Sequence, residues 1–198
     1  MTGPAKRLGI FGGTFDPIHL GHIQVAEAVS AALHLDRMLV VVANHPWQKQ
    51  DRPITPAEDR FAMVVAALRD RPTLEASRIE IDRGGPSYTA DTLEAVVAAE
   101  PGAQLYTVVG ADAADAIETW ERVDAVSRLS TLVVVNRPGS VRHARLEGWR
   151  VIEIEVPALE VSSTDLRSRA ADGRPLDYLV PDSVVRVIRS RGLYAGGR

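Results

Sequence analysis

Eleven consecutive residues hold the densest chemistry in the chain: Gly12-Gly13-Thr14-Phe15-Asp16-Pro17-Ile18-His19-Leu20-Gly21-His22, directly after an apolar run at residues 8–11. Paired glycines open backbone conformations closed to other residues and let a bulky anion approach the main chain. Pro17 suits the first turn of a helix whose unsatisfied N–H groups and positive dipole end would face that anion. His19 and His22, three apart, share one face of such a helix, so both imidazoles could reach one ligand at its start. The chemistry indicated is phosphate binding. It does not follow a P-loop, because no Gly-Lys-Ser/Thr comes after the glycines, and the Gly-x-Gly-x-x-Gly spacing is absent. A zinc pair is another use of histidines three apart, although no third or fourth ligand lies nearby in sequence. A tight turn bearing two surface histidines is the plain structural alternative.

A second segment has related chemistry. Val161-Ser162-Ser163-Thr164-Asp165-Leu166-Arg167 puts three hydroxyls at a predicted helix start and an arginine one turn on. Hydroxyls, unpaired N–H groups and a guanidinium together make an anion clamp. By itself the segment also reads as an ordinary helix cap with a solvated arginine.

These residues need a scaffold, and the hydrophobic pattern supplies one. Short apolar runs alternate with helical patterns, as successive βα units of a mostly parallel sheet do. Strands are predicted over residues 8–11, 38–43, 74–81, 105–109 and 131–135, with a last one around Val151, Ile152, Ile154 and Val156. A helix after the first strand buries Ile23, Ala26, Val29 and Leu33. Thr55-Pro56-Ala57-Glu58 predicts a capping box with proline at the first helical position. Further helices are predicted over residues 89–99, from Ser162 or Ser163 onward, and over 181–191, the last ended by Gly192. The stretch around Trp120 is broken helix, and residues 44–54 are a loop. The fold class is α/β: a mostly parallel sheet with helices on both faces and a small C-terminal helical region at 160–198, within a single domain over 1–198.

Composition narrows the class. The chain has 198 residues, 25% charged and 45% hydrophobic, with a net charge of −3 and no cysteine. Disulfides, thiolate metal sites and cysteine nucleophiles are excluded. The charge argues against nucleic acid as a generic partner. The absence of a signal-like segment and of an apolar run of about 20 residues predicts a cytoplasmic chain without membrane attachment. Self-association into a homo-oligomer is left open.

The run from Gly13 to His22 resembles the signature of the nucleotidyltransferase superfamily, whose members adenylylate or cytidylylate phosphorylated acceptors on a Rossmann-like fold. The segment from Ser162 to Arg167 resembles that superfamily's Ser-Ser-Thr-x-x-Arg element. The resemblance implies that His19 and His22 are catalytic, binding phosphates and stabilising the transition state without a covalent intermediate. It also implies that Gly12, Gly13, Thr14, Phe15, Ser162, Ser163, Thr164 and Arg167 hold the triphosphate, with Gly110 and Asp112 on the nucleotide's ribose side. In-line transfer fits this set, since it asks for charge stabilisation more than covalent chemistry. Asp16 then orients the turn instead of acting as a base, because an acceptor phosphate is already ionised near neutral pH.

Three further stretches resemble bacterial nicotinate-nucleotide adenylyltransferases: Gly84-Gly85-Pro86-Ser87-Tyr88-Thr89-Ala90-Asp91-Thr92, Val109-Gly110-Ala111-Asp112 with Trp120, and Val135-Asn136-Arg137-Pro138-Gly139. With Arg191-Gly192-Leu193-Tyr194, the resemblance spans nearly the whole chain. ATP with Mg2+ and nicotinate mononucleotide are the implied substrates. Tyr88 and Thr89 at a helix start could offer donors to a carboxylate, and Trp120 could stack on a pyridinium ring or belong to the core. Arg137 is a further substrate contact or a strand-ending turn residue. One departure stands out: Asn44-His45-Pro46-Trp47-Gln48-Lys49 replaces the family's Pro-Pro-His-Lys-like element, keeping Lys49 as a phosphate contact but putting Gln48 where a histidine is expected. Nicotinamide mononucleotide or phosphopantetheine as acceptor, and a non-catalytic nucleotide-binding module, are the competing readings.

Overall fold

A computed structural model describes residues 5–46, 53–136, 146, 148–157 and 159–195. Among these residues six strands are interspersed with helices: β1 (Arg7–Gly13), α1 (Leu20–Ala32), β2 (Arg37–Val42), α2 (Ala57–Leu68), β3 (Leu74–Ser77), α3 (Ile79–Arg83) and α4 (Thr89–Ala99) in the first half. The second half has β4 (Gln104–Gly110), α5 (Ala111–Asp115), a 3-10 turn at Ile117–Thr119, α6 (Val123–Leu129), β5 (Ser130–Asn136), β6 (Val151–Glu155), α7 (Ser163–Ala171) and α8 (Asp182–Ser190).

The strands form one sheet in the order β3-β2-β1-β4-β5-β6. Every pairing is parallel, with Ile10 of β1 opposite Leu39 on one side and Thr107 on the other. This is the doubly wound Rossmann order, in which the chain winds outward in both directions from β1 and β4. Ligands of such sheets bind at the carboxyl ends of the strands where the winding reverses, here at Gly12-Gly13 and Gly110.

Alternation along the strands sends side chains to two cores. On one face Met38, Val40, Val42, Tyr106, Val108 and Val133 pack with Ile23, Ala26 and Val29 of α1, Met63 and Val64 of α2, and Val184, Val185 and Ile188 of α8. On the other, Leu8, Ile10, Leu39, Val41 and Leu105 meet Leu93 and Val96 of α4 and Ala125 and Val126 of α6. Val109, Leu132 and Val134 extend that face against Ala114 and Ile117. Burial on both faces explains why β2 and β5 read as continuous apolar runs. Leu8 is fully buried, and cutting it to alanine costs about 2–5 kcal/mol.

Three local expectations fail. The strand predicted over 74–81 stops at Ser77, its last residue paired with β2. The chain then turns into α3, where Arg78 Nε bonds Asp82 Oδ1 at 2.7 Å, a spacing of four that suits a helix and not a strand. The α2 cap is Pro56, not Thr55, and there is no side-chain cap bond. Thr55 is engaged elsewhere: its carbonyl accepts from Arg60 Nε at 2.7 Å. Pro17 does not open α1 either; it follows a cis peptide after Asp16, and the helix is capped by His19. The last helix ends as expected, with Gly192 at a φ of 60° just past its C-cap.

Candidate active site

The histidine pair sits at the N-terminus of α1. His19, the N-cap, and His22, one turn on, stack with ring centroids 3.6 Å apart and planes 23° from parallel. His19 is buried, and burial lowers its pKa from 6.5 to about 4, so the ring is neutral at physiological pH. The His19 backbone N–H donates to His22 Nδ1 at 3.3 Å. In a neutral imidazole that bond puts the proton on Nε2, making this the donor atom of His22. Gly21 leaves the room that the stack requires, since a Cβ there would lie 3.2 Å from His19 Nδ1 and 3.2 Å from Val161 Cγ1.

The paired glycines work differently from the expectation. Neither Gly12 nor Gly13 has positive φ; the left-handed residue of the turn is Phe15, at 49°. Gly13 is required for space, because a Cβ would meet Phe15 Cζ at 2.7 Å. The Phe15 ring in turn packs edge-on to His22 at 5.1 Å and to Phe11 at 5.7 Å. The glycine therefore lets an aromatic ring lie under the catalytic candidate.

The second motif comes back against the first. Ser162 caps α7, its Oγ accepting from the Asp165 N–H at 3.2 Å. Ser163 Oγ donates to the Pro17 carbonyl at 3.0 Å, and Arg167 donates to the Asp16 carbonyl at 2.8 Å and to Thr164 Oγ1 at 3.2 Å. The Leu20 N–H, one of the orphan donors of α1, is taken up by the Leu179 carbonyl at 3.0 Å. Asp16 is buried, with Tyr194 donating to Oδ1 at 2.6 Å and the Thr55 N–H reaching Oδ2 at 3.4 Å. Its carboxylate is thus committed to holding the turn.

Beside this assembly, a cleft of about 270 Å³ opens over the switch point. Gly12, Gly13, Thr14 and Gly110 line one part of it, and Ser87, Tyr88, Thr89 and Trp120 another. Neither Gly12 nor Gly110 would bring a Cβ within 4 Å of another protein atom. Tyr88 caps α4 and Thr89 begins it, so first-turn N–H groups of that helix lie at the cleft. Trp120 also packs against the core beside Ile117. Asp112 lies exposed on the first turn of α5 and is not part of the lining. Lys49 and Arg137, with Trp47 and Gln48, fall outside the described residues. Among the described residues no three His, Asp or Glu side chains gather as a metal site, and no helix is long and apolar enough to cross a membrane.

A family model described as cytidylyltransferase-like matches residues 10–169. The chain is 45% identical over 192 residues to a protein of Saccharopolyspora erythraea named probable nicotinate-nucleotide adenylyltransferase, covering 96% of this chain and 91% of the relative. A protein of the same name from Streptomyces coelicolor is 48% identical over 186 residues, covering 93% and 99% respectively. The chain belongs to the nicotinate-nucleotide adenylyltransferase family. The fold agrees: nicotinic acid mononucleotide adenylyltransferase of Plasmodium falciparum, solved with NaAD, superposes with a TM-score of 0.80 at 19% identity, over 96% of this chain and 97% of that one.

Two features of this family member are not visible in its motifs. Glu80 of α3 is buried at the cleft, its Oε1 accepting from Thr92 Oγ1 at 2.6 Å. Arg60 of α2 is only 1% exposed and gives its guanidinium to backbone carbonyls around the phosphate turn. Neither carries a sequence signal. An arginine or glutamate in an amphipathic segment reads as solvated surface until the fold buries it.

Proposed function

We propose that this chain transfers the adenylyl group of ATP to nicotinate mononucleotide, giving nicotinate adenine dinucleotide and pyrophosphate in NAD biosynthesis. The acceptor's phosphate oxygen attacks the α-phosphorus in line; the new P–O bond forms as the bond to the β-phosphate breaks, and pyrophosphate leaves. His22 Nε2–H donates to the charge that develops on the α-phosphate, and neutral His19 stacks beneath it and contacts the phosphates. Backbone at Gly12, Gly13, Thr14 and Phe15 grips the triphosphate with Ser163, Thr164 and Arg167, while Ser162 holds α7 in register. Gly110 and Asp112 flank the ribose. Tyr88 and Thr89 take the nicotinate carboxylate on the N–H groups of α4, and Trp120 stacks on the pyridinium ring. Magnesium bound with ATP would offset the charge of its phosphates, while Asp16, whose carboxylate accepts from Tyr194 and Thr55, stays with the turn. The same reading treats residues 1–198 as one nucleotidyltransferase domain.

One observation carries the assignment of the two substrates. A single cleft at the carboxyl ends of β1 and β4 is lined both by Gly12, Gly13, Thr14 and Gly110 and by Ser87, Tyr88, Thr89 and Trp120. The first group belongs to the phosphate half and the second to the acceptor half, so two substrates bound there would meet.

Pyrophosphate release, measured with ATP and each acceptor in turn, tests the proposal. Nicotinate mononucleotide is expected to give the highest kcat/KM. A preference for nicotinamide mononucleotide or phosphopantetheine would overturn it, as would ATP binding without turnover on any acceptor.

A further inference from the structure

Arg60 is a cation almost wholly removed from water, and its hydrogen bonds go to main-chain carbonyls. Nε donates to Thr55 O at 2.7 Å, one terminal nitrogen to Thr14 O at 2.8 Å and Ala43 O at 2.7 Å, and the other to Asn44 O at 3.1 Å. These acceptors come from three separate segments: the turn after β1, the turn after β2 and the approach to α2. We infer that Arg60 is a positioning residue for adenylyl transfer, fixing the phosphate turn and the acceptor wall relative to each other. The inference rests on the two-substrate site proposed above.

Peptide geometry gives the reason. In a trans peptide the C=O of one residue and the N–H of the next point in opposite directions. A Thr14 carbonyl drawn toward Arg60 therefore turns the Phe15 N–H away from it, within the turn that grips the triphosphate. An Ala43 carbonyl drawn to the same nitrogen turns the Asn44 N–H outward, where it donates to Ser87 Oγ at 2.8 Å. Asn44 Nδ2 also donates to Gly85 O at 3.0 Å, and the Ser87 N–H to His45 O at 3.1 Å. Ser87 lines the cleft next to Tyr88 and Thr89. A single guanidinium thus orients an N–H on the ATP side and, through Asn44 and Ser87, the start of the acceptor-binding helix.

The residue type matters. Only the planar fork of arginine offers donors in several fixed directions; a lysine keeps the charge but not the geometry. Burying a cation is costly, and a residue that only filled space here could be apolar. The carboxylates of Asp16 and Glu80 lie within electrostatic reach and favour the charged form, against the burial that lowers its pKa.

The test is Arg60→Lys, assayed below its melting temperature with rates normalised to folded protein. Loss of alignment between the two substrates is expected to lower kcat about 10²-fold and raise KM for both. Amide exchange at Phe15 and Asn44 is expected to speed up alongside. Unchanged kcat, both KM values and exchange in a folded variant would overturn the inference and leave Arg60 a stability residue only. Should Arg60→Lys fail to fold, Ser87→Ala tests the link to the acceptor wall. KM for the mononucleotide is then expected to rise about threefold or more while affinity for a non-hydrolysable ATP analogue stays within about twofold. An unchanged acceptor KM would overturn the link. Exchange and analogue binding need no turnover, so a wild-type chain that released no pyrophosphate would sink the proposed function while the Arg60 comparison could still be read.

Discussion

The Tyr194 hydroxyl donates to Asp16 Oδ1 over 2.6 Å, although the two residues are 178 positions apart. Burial and this carboxylate both push the Tyr194 pKa up, so the hydroxyl remains a donor at any working pH. Asp16 is also tied through its carbonyl to Arg167 and through Oδ2 to Thr55. Tyr194→Phe keeps the ring and removes the donor, leaving a buried carboxylate short of a partner at a cost of about 1–3 kcal/mol. A fall in Tm of about 5 °C is expected in a thermal melt. kcat should fall with it, because the phosphate turn loses a support. An unchanged Tm would show that the contact contributes nothing.

His22→Ala removes one oriented donor to the α-phosphate. If Nε2–H stabilises the developing charge, kcat drops by about 10² to 10³. Affinity for an ATP analogue should change far less. A variant with wild-type kcat would remove His22 from the chemistry.

The depressed pKa of His19 fixes the sign of a pH effect. Between about 6.5 and about 4 the unfolded chain takes up a proton on His19 that the native chain does not. The stability tied to the neutral ring is therefore complete above pH 6.5 and declines as pH falls toward 4, by about 3 kcal/mol in all. Urea denaturation at several pH values should show wild-type protein losing more stability on acidification than His19→Asn. Parallel pH profiles would mean that His19 titrates normally in the native state.

Gly12 and Gly13 are adjacent but separable by experiment. Gly13→Ala drives a Cβ into the Phe15 ring, which is confined by Phe11 and His22, so Tm and kcat should both fall. At Gly12 a Cβ meets no protein atom, but the residue lines the cleft. Gly12→Ala should leave Tm within about 2 °C and raise KM. Equal effects at the two positions would contradict this division of roles.

Much of this was legible in the residues themselves. The run at 38–43 announced a doubly covered strand, and Thr89–Ala99 became a helix over the expected span. Both motifs were recognisable because their chemistry lies in local spacing. What escaped depends on partners distant in sequence. Nothing near Arg60 says that Thr14 and Ala43 will lend it their carbonyls, and Thr55 looks like a cap until its carbonyl is claimed by that same side chain. Ile79 and Ile81 fit a strand by composition, yet pairing with β2 ends at Ser77, and the Arg78–Asp82 pair favours a helix. The positive φ at Phe15 was unreadable for a similar reason: the neighbouring glycines are the obvious hosts, but packing on His22 put it on the phenylalanine.

The bond from the Leu20 N–H to the Leu179 carbonyl has a consequence in time as well as in space. Domains emerge from the ribosome N-terminus first, at about 5–20 residues per second. A nascent chain exposed as far as β6 already owns every strand of its sheet and both histidines, yet lacks the segment that plugs the start of α1. Until the last fifth of the protein is made, the Leu20 N–H therefore has no Leu179 carbonyl to donate to, and the Pro17 and Asp16 carbonyls lack the bonds from Ser163 and Arg167.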